Sequence, residues 1–163
     1  MYRTLFITLF YTGRRIGEVF AMRPEDILWD KQQIRFNSSI TRKTKESNYK
    51  VTSTKTGKKQ TVDVSPKVLK ALKEYGGEDP FFFSGEHPLS DNTVRRHFYA
   101  YIKKAGVKQI RLHDLRHSFV TLCIHHLANL KVVAELIGDT LEQVTKTYAH
   151  LYSSDARNVV QNL

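Results

Sequence analysis

The stretch RLHDLRHSFVTL, residues 111–122, constrains the fold more than any other part of the chain. His113, Arg116 and His117 stand three and four positions apart, so a helix would place these three side chains on one face. Apolar residues at the same spacing predict a buried stripe made of Leu112, Leu115, Phe119 and Leu122. Guanidinium donors suit a phosphate, and an imidazole can donate to it or exchange a proton near pH 7. On this segment alone, a helix start whose polar residues only cap and solvate fits as well.

Composition indicates a globular chain with an anionic partner. The 163 residues are 40% apolar and 11% aromatic, which is enough for one domain with a core. The net charge of +10 suits a nucleic acid or an acidic membrane surface. No run could span a bilayer, and no signal peptide is recognisable, because Arg3 interrupts the opening segment. The single cysteine, Cys123, lies in an apolar helical pattern, which predicts a core thiol and a cytoplasmic protein.

Periodicity and turn residues predict helices around a small sheet. Besides the central segment, helices are expected over residues 1–10, 14–22, 65–75, 90–106 and 129–137, from Thr140, and from Ser154. Strands are expected at residues 27–29, 33–36, 49–55 and 61–64, where 61–64 returns against 49–55 across a turn at 56–58. They are expected to form a three-stranded antiparallel sheet with basic hairpins. On the second helix, Arg14 and Arg15 would point about 100° apart. One of them would therefore face the core and need an anion, supplied by Glu18 or a ligand.

Four short motifs follow one another: TGRRIGE at residues 12–18, TKTG at 54–57, HDLRH at 113–117, and Gly138-Asp139 followed by TYAH at 147–150. In this order and spacing they resemble the catalytic domain of the tyrosine recombinases, the phage and transposon integrases. Each motif alone is a weak signal, but all four in order are a strong one, and the resemblance covers nearly the whole chain. The resemblance implies an α+β fold, mainly helical with a small three-stranded antiparallel sheet, as in DNA breaking-rejoining enzymes. It also implies one catalytic domain over residues 1–163, without the N-terminal core-binding domain and the first catalytic-domain helix.

The resemblance assigns the site residues position by position. The catalytic groups it implies are the first arginine, the hairpin lysine, the His-x-x-Arg pair and the tyrosine nucleophile, which correspond to Arg15, Lys55, His113, Arg116 and Tyr148. Glu18 corresponds to the acidic residue that steadies the first arginine, and His117 to the histidine that commonly follows the second. Arg14 is then a neighbour of the catalytic arginine.

Asp139 departs from the family pattern, which has histidine or sometimes tryptophan at this sixth position of the site. A carboxylate repels a phosphate unless it is protonated or paired with an arginine. Three roles stay open for Asp139: it orients Arg15 or Arg116, it points away as a cap, or it makes the reaction slow.

The reaction that the resemblance implies is site-specific recombination or integration by transesterification at a DNA phosphodiester, with no metal and no other cofactor. At pH 7 about one part in a thousand of an ordinary tyrosine is phenolate, which corresponds to about 4 kcal/mol. The two arginines would stabilise the pentavalent state, and Lys55 would protonate the 5′ leaving oxygen. His113 would donate to the phosphate or accept the tyrosine proton. The product would be a 3′-phosphotyrosine.

The implied partner is double-stranded DNA at attachment sites, bound by a homo-tetramer, with accessory DNA-bending or excision proteins and no membrane. For this chain alone a monomer stays open, and its expected location is the bacterial nucleoid or host cytoplasm. Basic residues expected to contact DNA are Arg42, Lys43, Lys45, Lys58, Lys59, Arg95 and Arg96. Most hairpin lysines also fit a merely solvated sheet edge.

Three alternatives stay open. One is a type IB topoisomerase or telomere resolvase, which uses related chemistry. Another is a non-catalytic or degenerate DNA-binding module. The third is a zinc enzyme built on His113, His117, His125 and His126, although no cysteine or paired glutamate completes that set.

Overall fold

A computed structural model describes residues 1–41, 49–53, 60–126, 128–151 and 161. Its helices are α1 Tyr2–Thr12, α2 Ile16–Phe20, α3 Pro66–Tyr75, α4 Asp91–Ala105, α5 Asp114–His125, α6 Leu130–Ile137 and α7 Leu141–Tyr148. Its strands are β1 Ile27–Leu28, β2 Gln33–Phe36, β3 Ser38–Thr41, β4 Lys50–Ser53 and β5 Gln60–Asp63. Across the described ranges, every helix is too short or too polar to cross a membrane. The helix expected from Ser154 falls on residues outside these ranges.

The three-stranded antiparallel sheet is confirmed, but one of its expected pairings is wrong. Its strand order is β1-β2-β5, with Ile34 of β2 opposite Ile27 on one side and Val62 on the other. This register buries all three side chains in one core. β4 pairs instead with β3 in a separate two-stranded ribbon. The sequence SSIT of β3 has too little apolar alternation to predict a strand.

Two apolar clusters form the interior, and α5 contributes to both. The larger cluster joins α1, α2, the sheet, α3 and α4 with Leu115 of α5. The smaller one packs Val120 and Ile124 of α5 against α6 and α7. The buried stripe predicted through Leu122 is therefore wrong at that residue, which is 36% exposed, because the face carrying Val120 and Ile124 turns inward. Leu141, at the start of α7, is also exposed, at 48%.

The ends of α1 and α6 determine the local geometry around the motifs. Gly13 ends α1 with φ +60, and a Cβ there would run into Phe119 and Ile137. Gly138 ends α6 with φ +67, and a Cβ there would run into Arg14 and Gln60. Positive φ and this close approach both require glycine. The two helix ends can therefore lie against neighbouring side chains without a gap.

The second helix begins later than the sequence pattern predicted. Gly13 turns the chain away from α1, and Arg15 is the extended N-cap residue of α2 with φ −67 and ψ 143. Arg14 and Arg15 therefore lie in a turn before the helix, so the expected helical spacing between them is wrong. The expectation that one of the two faces the core is confirmed, and it is Arg14.

Candidate active site

Arg14 is a buried structural cation. Its side chain is fully buried, its Nε donates to Glu18 Oε2 at 2.9 Å, and its Nη1 donates to Gln60 Oε1 at 2.7 Å. The guanidinium also lies 4.5 Å from the centre of the Phe36 ring. Burial lowers the pKa of Arg14, and the Glu18 carboxylate partly reverses this effect. Arg14 thereby ties the turn before α2 to strand β5.

Arg15 points from the same turn toward the end of α6. Its Nη1 donates to Glu18 Oε1 at 3.2 Å and to the Gly138 carbonyl at 3.0 Å. Its Nη2 donates to Asp139 Oδ2 at 2.9 Å. The side chain keeps 25% of its surface exposed, unlike that of Arg14. Arg15 is therefore a held but accessible cation.

Arg116 is held by the ends of two helices. Its Nη1 donates to the carbonyls of Gly13 at 2.8 Å and Ile137 at 2.7 Å, which lie at the C-terminal ends of α1 and α6. Such carbonyls lack partners within their helix and carry partial negative charge, so they attract a cation. Burial lowers the pKa of Arg116, and nearby Arg15 lowers it further. Sequence reasoning did not identify these acceptors, although a glycine after each helix marked where they lie.

Asp139 contacts both arginines through one oxygen. Oδ2 accepts from Arg15 Nη2 at 2.9 Å and from Arg116 Nη2 at 2.7 Å. Oδ1 accepts from the backbone N–H of Thr140 at 3.1 Å. Among the roles left open, the arrangement matches contact with the arginines. In this structure the carboxylate does not point away from the arginines, and the N-cap of α7 is Thr140.

Tyr148 lines one small pocket together with Arg116. It is 8% exposed, and its Oη lies 2.5 Å from His117 Nδ1. Burial raises the pKa of Tyr148, so its phenol form dominates at pH 7 even more than in water. The pocket has a volume of about 140 Å³, and its lining includes His113, Arg116, His117, Asp139, Gln143 and Tyr148. Gln143 was not identified as a site residue from the sequence.

His113 stands at the entrance to α5 as its N-cap residue. Its ring centre is 5.1 Å from that of His117, with the rings perpendicular. Burial lowers the pKa of His113, and His117 and Arg116 lower it further. His113 is therefore mainly neutral at pH 7, and it can accept a proton or donate its one ring N–H.

The remaining predicted residues fall into two groups. Lys55 and the hairpin cations Arg42, Lys43, Lys45, Lys58 and Lys59 lie outside the described residues. On α4, Arg95 pairs with Asp91 at 2.8 Å and lines a second cavity together with His113 and Arg116. Arg96 is exposed beside it.

Within the described residues, no group of three or more His, Cys, Asp or Glu side chains is arranged to hold a metal ion.

Comparison with known proteins gives matches along nearly the whole chain. A family model described as the phage integrase family matches residues 1–155. A tyrosine recombinase of Thermosipho africanus (strain TCF52B) is 30% identical over 166 residues, which cover 99% of this chain and 53% of the relative. The ICEBs1 integrase of Bacillus subtilis (strain 168) is 26% identical, covering 100% of this chain and 48% of the relative. The chain thus spans about half the length of the curated relatives it matches.

Solved structures confirm the predicted fold class. The Tn1549 transposon integrase in complex with a circular intermediate DNA has a TM-score of 0.82 at 20% identity, covering 98% of this chain and 58% of that one. The XerA recombinase has a TM-score of 0.71 at 22% identity, covering 99% and 56%. At these identities the likeness shows a shared fold, mostly helical with a small antiparallel sheet.

Proposed function

The chain belongs to the phage integrase family, and we propose that it supplies the catalytic groups of a site-specific recombinase that cleaves and rejoins DNA strands. The observation that carries this proposal is the convergence of Arg15 and Arg116, which are distant in sequence, on one Asp139 oxygen. Tyr148 lines one pocket together with Arg116 and Asp139. Two guanidinium groups that meet at one oxygen can also hold the non-bridging oxygens of one phosphate.

In the proposed reaction, Tyr148 Oη attacks the phosphorus while the bond to the 5′ oxygen breaks. The charge that builds on the non-bridging oxygens is stabilised by Arg15 and Arg116. The product is a 3′-phosphotyrosine and a free 5′ hydroxyl. Because the phosphoester bond is conserved, a 5′ hydroxyl of another strand can attack it in turn and rejoin the DNA.

Two proton transfers accompany this step. The raised pKa of Tyr148 means that its proton has to be accepted as the oxygen attacks, and His117 Nδ1 is in hydrogen-bond contact with that oxygen. The 5′ leaving oxygen needs a proton in exchange, and we assign this role to Lys55 on the strength of the family motif. His113, whose pKa is lowered, contacts the phosphate as a neutral donor.

The proposed partner is double-stranded DNA at attachment sites, bound by four copies of the protein with accessory DNA-bending or excision proteins. Support comes from charge, since the chain carries a net +10. Further support comes from the fold neighbours: the transposon integrase is in complex with a circular intermediate DNA, and a XerH site-specific recombinase is bound to its difH substrate. On its own, the chain is proposed to be a monomer.

One observation favours a second candidate, a DNA-binding module without catalytic activity. Asp139 already satisfies both arginines at the point where a phosphate would bind. A carboxylate that never leaves this position would prevent cleavage but leave binding to other phosphates intact. The two candidates therefore differ in whether a covalent DNA adduct forms.

The test uses a labelled duplex carrying the junction at which the encoding element is inserted, with a nick near the cleavage position. After cleavage the short fragment dissociates, so the covalent adduct accumulates and is seen on a denaturing gel. We expect an adduct with the unmodified protein and none with Tyr148→Phe. The DNA affinity of Tyr148→Phe should stay within about twofold, because the substitution removes only one hydroxyl group. The control is Tyr101→Phe, an exposed tyrosine on α4 that should form adduct normally.

Two outcomes would contradict parts of this proposal. An adduct formed by Tyr148→Phe would mean that another residue is the nucleophile. Binding of the junction by the unmodified protein without any adduct would favour the non-catalytic module.

A further inference from the structure

Asp139 places a carboxylate in the pocket that is proposed to bind a phosphate, which is an unusual position for a negative charge. Its Oδ2 is shared by Arg15 and Arg116 at 2.9 and 2.7 Å, and its side chain is 25% exposed. A carboxylate oxygen and a non-bridging phosphate oxygen are recognised by guanidinium groups through the same charge-assisted hydrogen bonds. The contact therefore resembles a bound phosphate in both charge and geometry.

We propose that Asp139 is an internal substitute for the DNA phosphate, so that the pocket binds its substrate by exchanging one anion for another. Resting on the proposed function, this assigns Asp139 a defined effect on the reaction: the carboxylate must leave Arg15 and Arg116 before a phosphate can be held there. Asp139 is then a residue that limits substrate binding.

The hydrogen bonds of the two arginines explain why the anions compete. Nη1 of Arg15 is engaged by Glu18 and Gly138, and Nη1 of Arg116 is engaged by Gly13 and Ile137. The Nη2 atoms of both arginines are the donors directed at Asp139. A phosphate oxygen that bridges the two arginines at the position of Asp139 Oδ2 has to use these same N–H donors, so the carboxylate must leave before that oxygen can bind.

The charges of the neighbouring residues also indicate that Asp139 weakens phosphate binding. Arg14, Arg15 and Arg116 face the carboxylates of Glu18 and Asp139, which leaves one net positive charge. The pentavalent state carries more negative charge than the diester it forms from. Since Asp139 lies at the pocket, its removal increases the positive potential where that charge develops.

Displacement of Asp139 needs little rearrangement. The residue follows Gly138 at the end of α6, and its backbone N–H donates to the Ala134 carbonyl, so the main chain stays anchored. Rotation about χ1 can carry the partly exposed carboxylate away from Arg15 and Arg116. The exchange costs two charge-assisted hydrogen bonds, which a bound phosphate replaces, and the hydrogen bond that Oδ1 accepts from the Thr140 N–H.

A contrasting role for Asp139 predicts the opposite sign. If the carboxylate served chiefly to hold Arg15 and Arg116 together, its removal would let the two cations separate and anion binding would weaken. If it substitutes for the phosphate, removal strengthens anion binding. Phosphate affinity therefore distinguishes the two roles without requiring DNA.

The experiment titrates inorganic phosphate into the protein at constant ionic strength, with chloride as the balancing anion, and follows binding by ³¹P NMR. We expect about tenfold tighter phosphate binding for Asp139→Asn and Asp139→Ser, because a competing anion and its charge are gone. Asp139→Ser is included because the amide of asparagine can turn its NH₂ toward the guanidinium groups. Glu142→Gln is the matched control: it removes one exposed carboxylate on α7 and should change the affinity less than twofold.

Unchanged or weaker phosphate binding in both folded Asp139 variants would overturn the proposal. The DNA adduct assay separates this outcome from a failure of the proposed function. Tighter phosphate binding by the variants with no adduct from any form of the protein would uphold the substitute and reject the catalysis. An adduct from the unmodified protein, with no gain in phosphate binding by the variants, would support the catalysis and reject Asp139 as a substitute for phosphate.

Discussion

Glu18 accepts hydrogen bonds from two arginines that serve different purposes. Oε2 accepts from Arg14 Nε and from the backbone N–H of Arg15, while Oε1 accepts from Arg15 Nη1. Breaking a buried ion pair by removing one partner costs about 3–5 kcal/mol, because the other charge is left uncompensated. The buried Arg14 therefore fixes Glu18, and Glu18 in turn fixes the guanidinium that faces the pocket.

A residue-scale prediction concerns His117, whose Nδ1 contacts the Tyr148 hydroxyl. If His117 accepts the tyrosine proton, His117→Asn keeps a hydrogen bond but lacks a basic nitrogen, and adduct formation should slow by about 10²-fold or more. The measurement is the single-turnover rate of adduct formation on the nicked duplex, with DNA affinity determined in parallel. A rate within about threefold of the unmodified protein would show that His117 only positions the hydroxyl.

How far single residues could be predicted depended on whether the required signal was local. The resemblance selected Arg15, His113, Arg116 and Tyr148 as site residues, and the structure brings Arg15 and Arg116 together through Asp139. The sequence left three roles open for Asp139, because its rotamer depends on where the ends of α1 and α6 place the arginines. Such long-range packing has no signature in the residues around position 139.

At the scale of elements, helix boundaries were more predictable than strand partners. The starts and ends of α3, α4 and α6 match the sequence signals, such as Pro66 at the start of α3 and the glycine after each helix. These signals are local. The partner of β4 was not predictable, because a strand register depends on which apolar face is covered by other elements.

An element-scale prediction tests the end of α6. Gly138→Ala places a methyl group against Gln60 and Arg14 at φ +67, so it combines left-handed strain with a clash beside the buried ion pair. Strain alone costs about 1–2 kcal/mol, and we expect the total loss of unfolding free energy to be about 3 kcal/mol or more. The measurement is urea unfolding followed by circular dichroism.

Gly106→Ala provides the matched control for this variant. Gly106 ends α4 with φ +63, and a Cβ there meets nothing within 4 Å. Gly106→Ala should therefore lower the free energy of unfolding only by the left-handed strain, about 1–2 kcal/mol. Equal losses in both variants would mean that the contact of α6 with Arg14 and Gln60 tolerates a methyl group.

At the scale of the whole molecule, the candidate site lies where the two apolar clusters meet. Arg15 follows α1, whose Leu5 and Leu9 belong to the larger cluster, while Tyr148 belongs to the smaller one. α5 joins the clusters and carries Arg116 on the segment between them. The geometry of the pocket therefore depends on both clusters being packed at once, so a loss of core packing in either cluster should affect the site.

The last prediction concerns how the whole molecule binds DNA. A chain with a net charge of +10 binds DNA largely by releasing counterions, so its affinity should fall steeply with salt and be weak at about 200 mM. Arg95 of α4 lines a cavity together with His113 and Arg116, which brings α4 close to the candidate site. The exposed cations Arg96 and Lys103 on this helix are therefore expected to contact phosphates.

Replacing Arg96 and Lys103 together by alanine should lower the slope of log affinity against log salt by nearly two, since each lost phosphate contact contributes about 0.9. The control removes the same charge from α3 through Lys70→Ala and Lys73→Ala, and α3 lines neither pocket described above. Fluorescence anisotropy with a labelled duplex at several salt concentrations gives both slopes. If both double variants change the slope equally, net charge rather than the position of α4 governs binding, and the DNA does not lie along this helix.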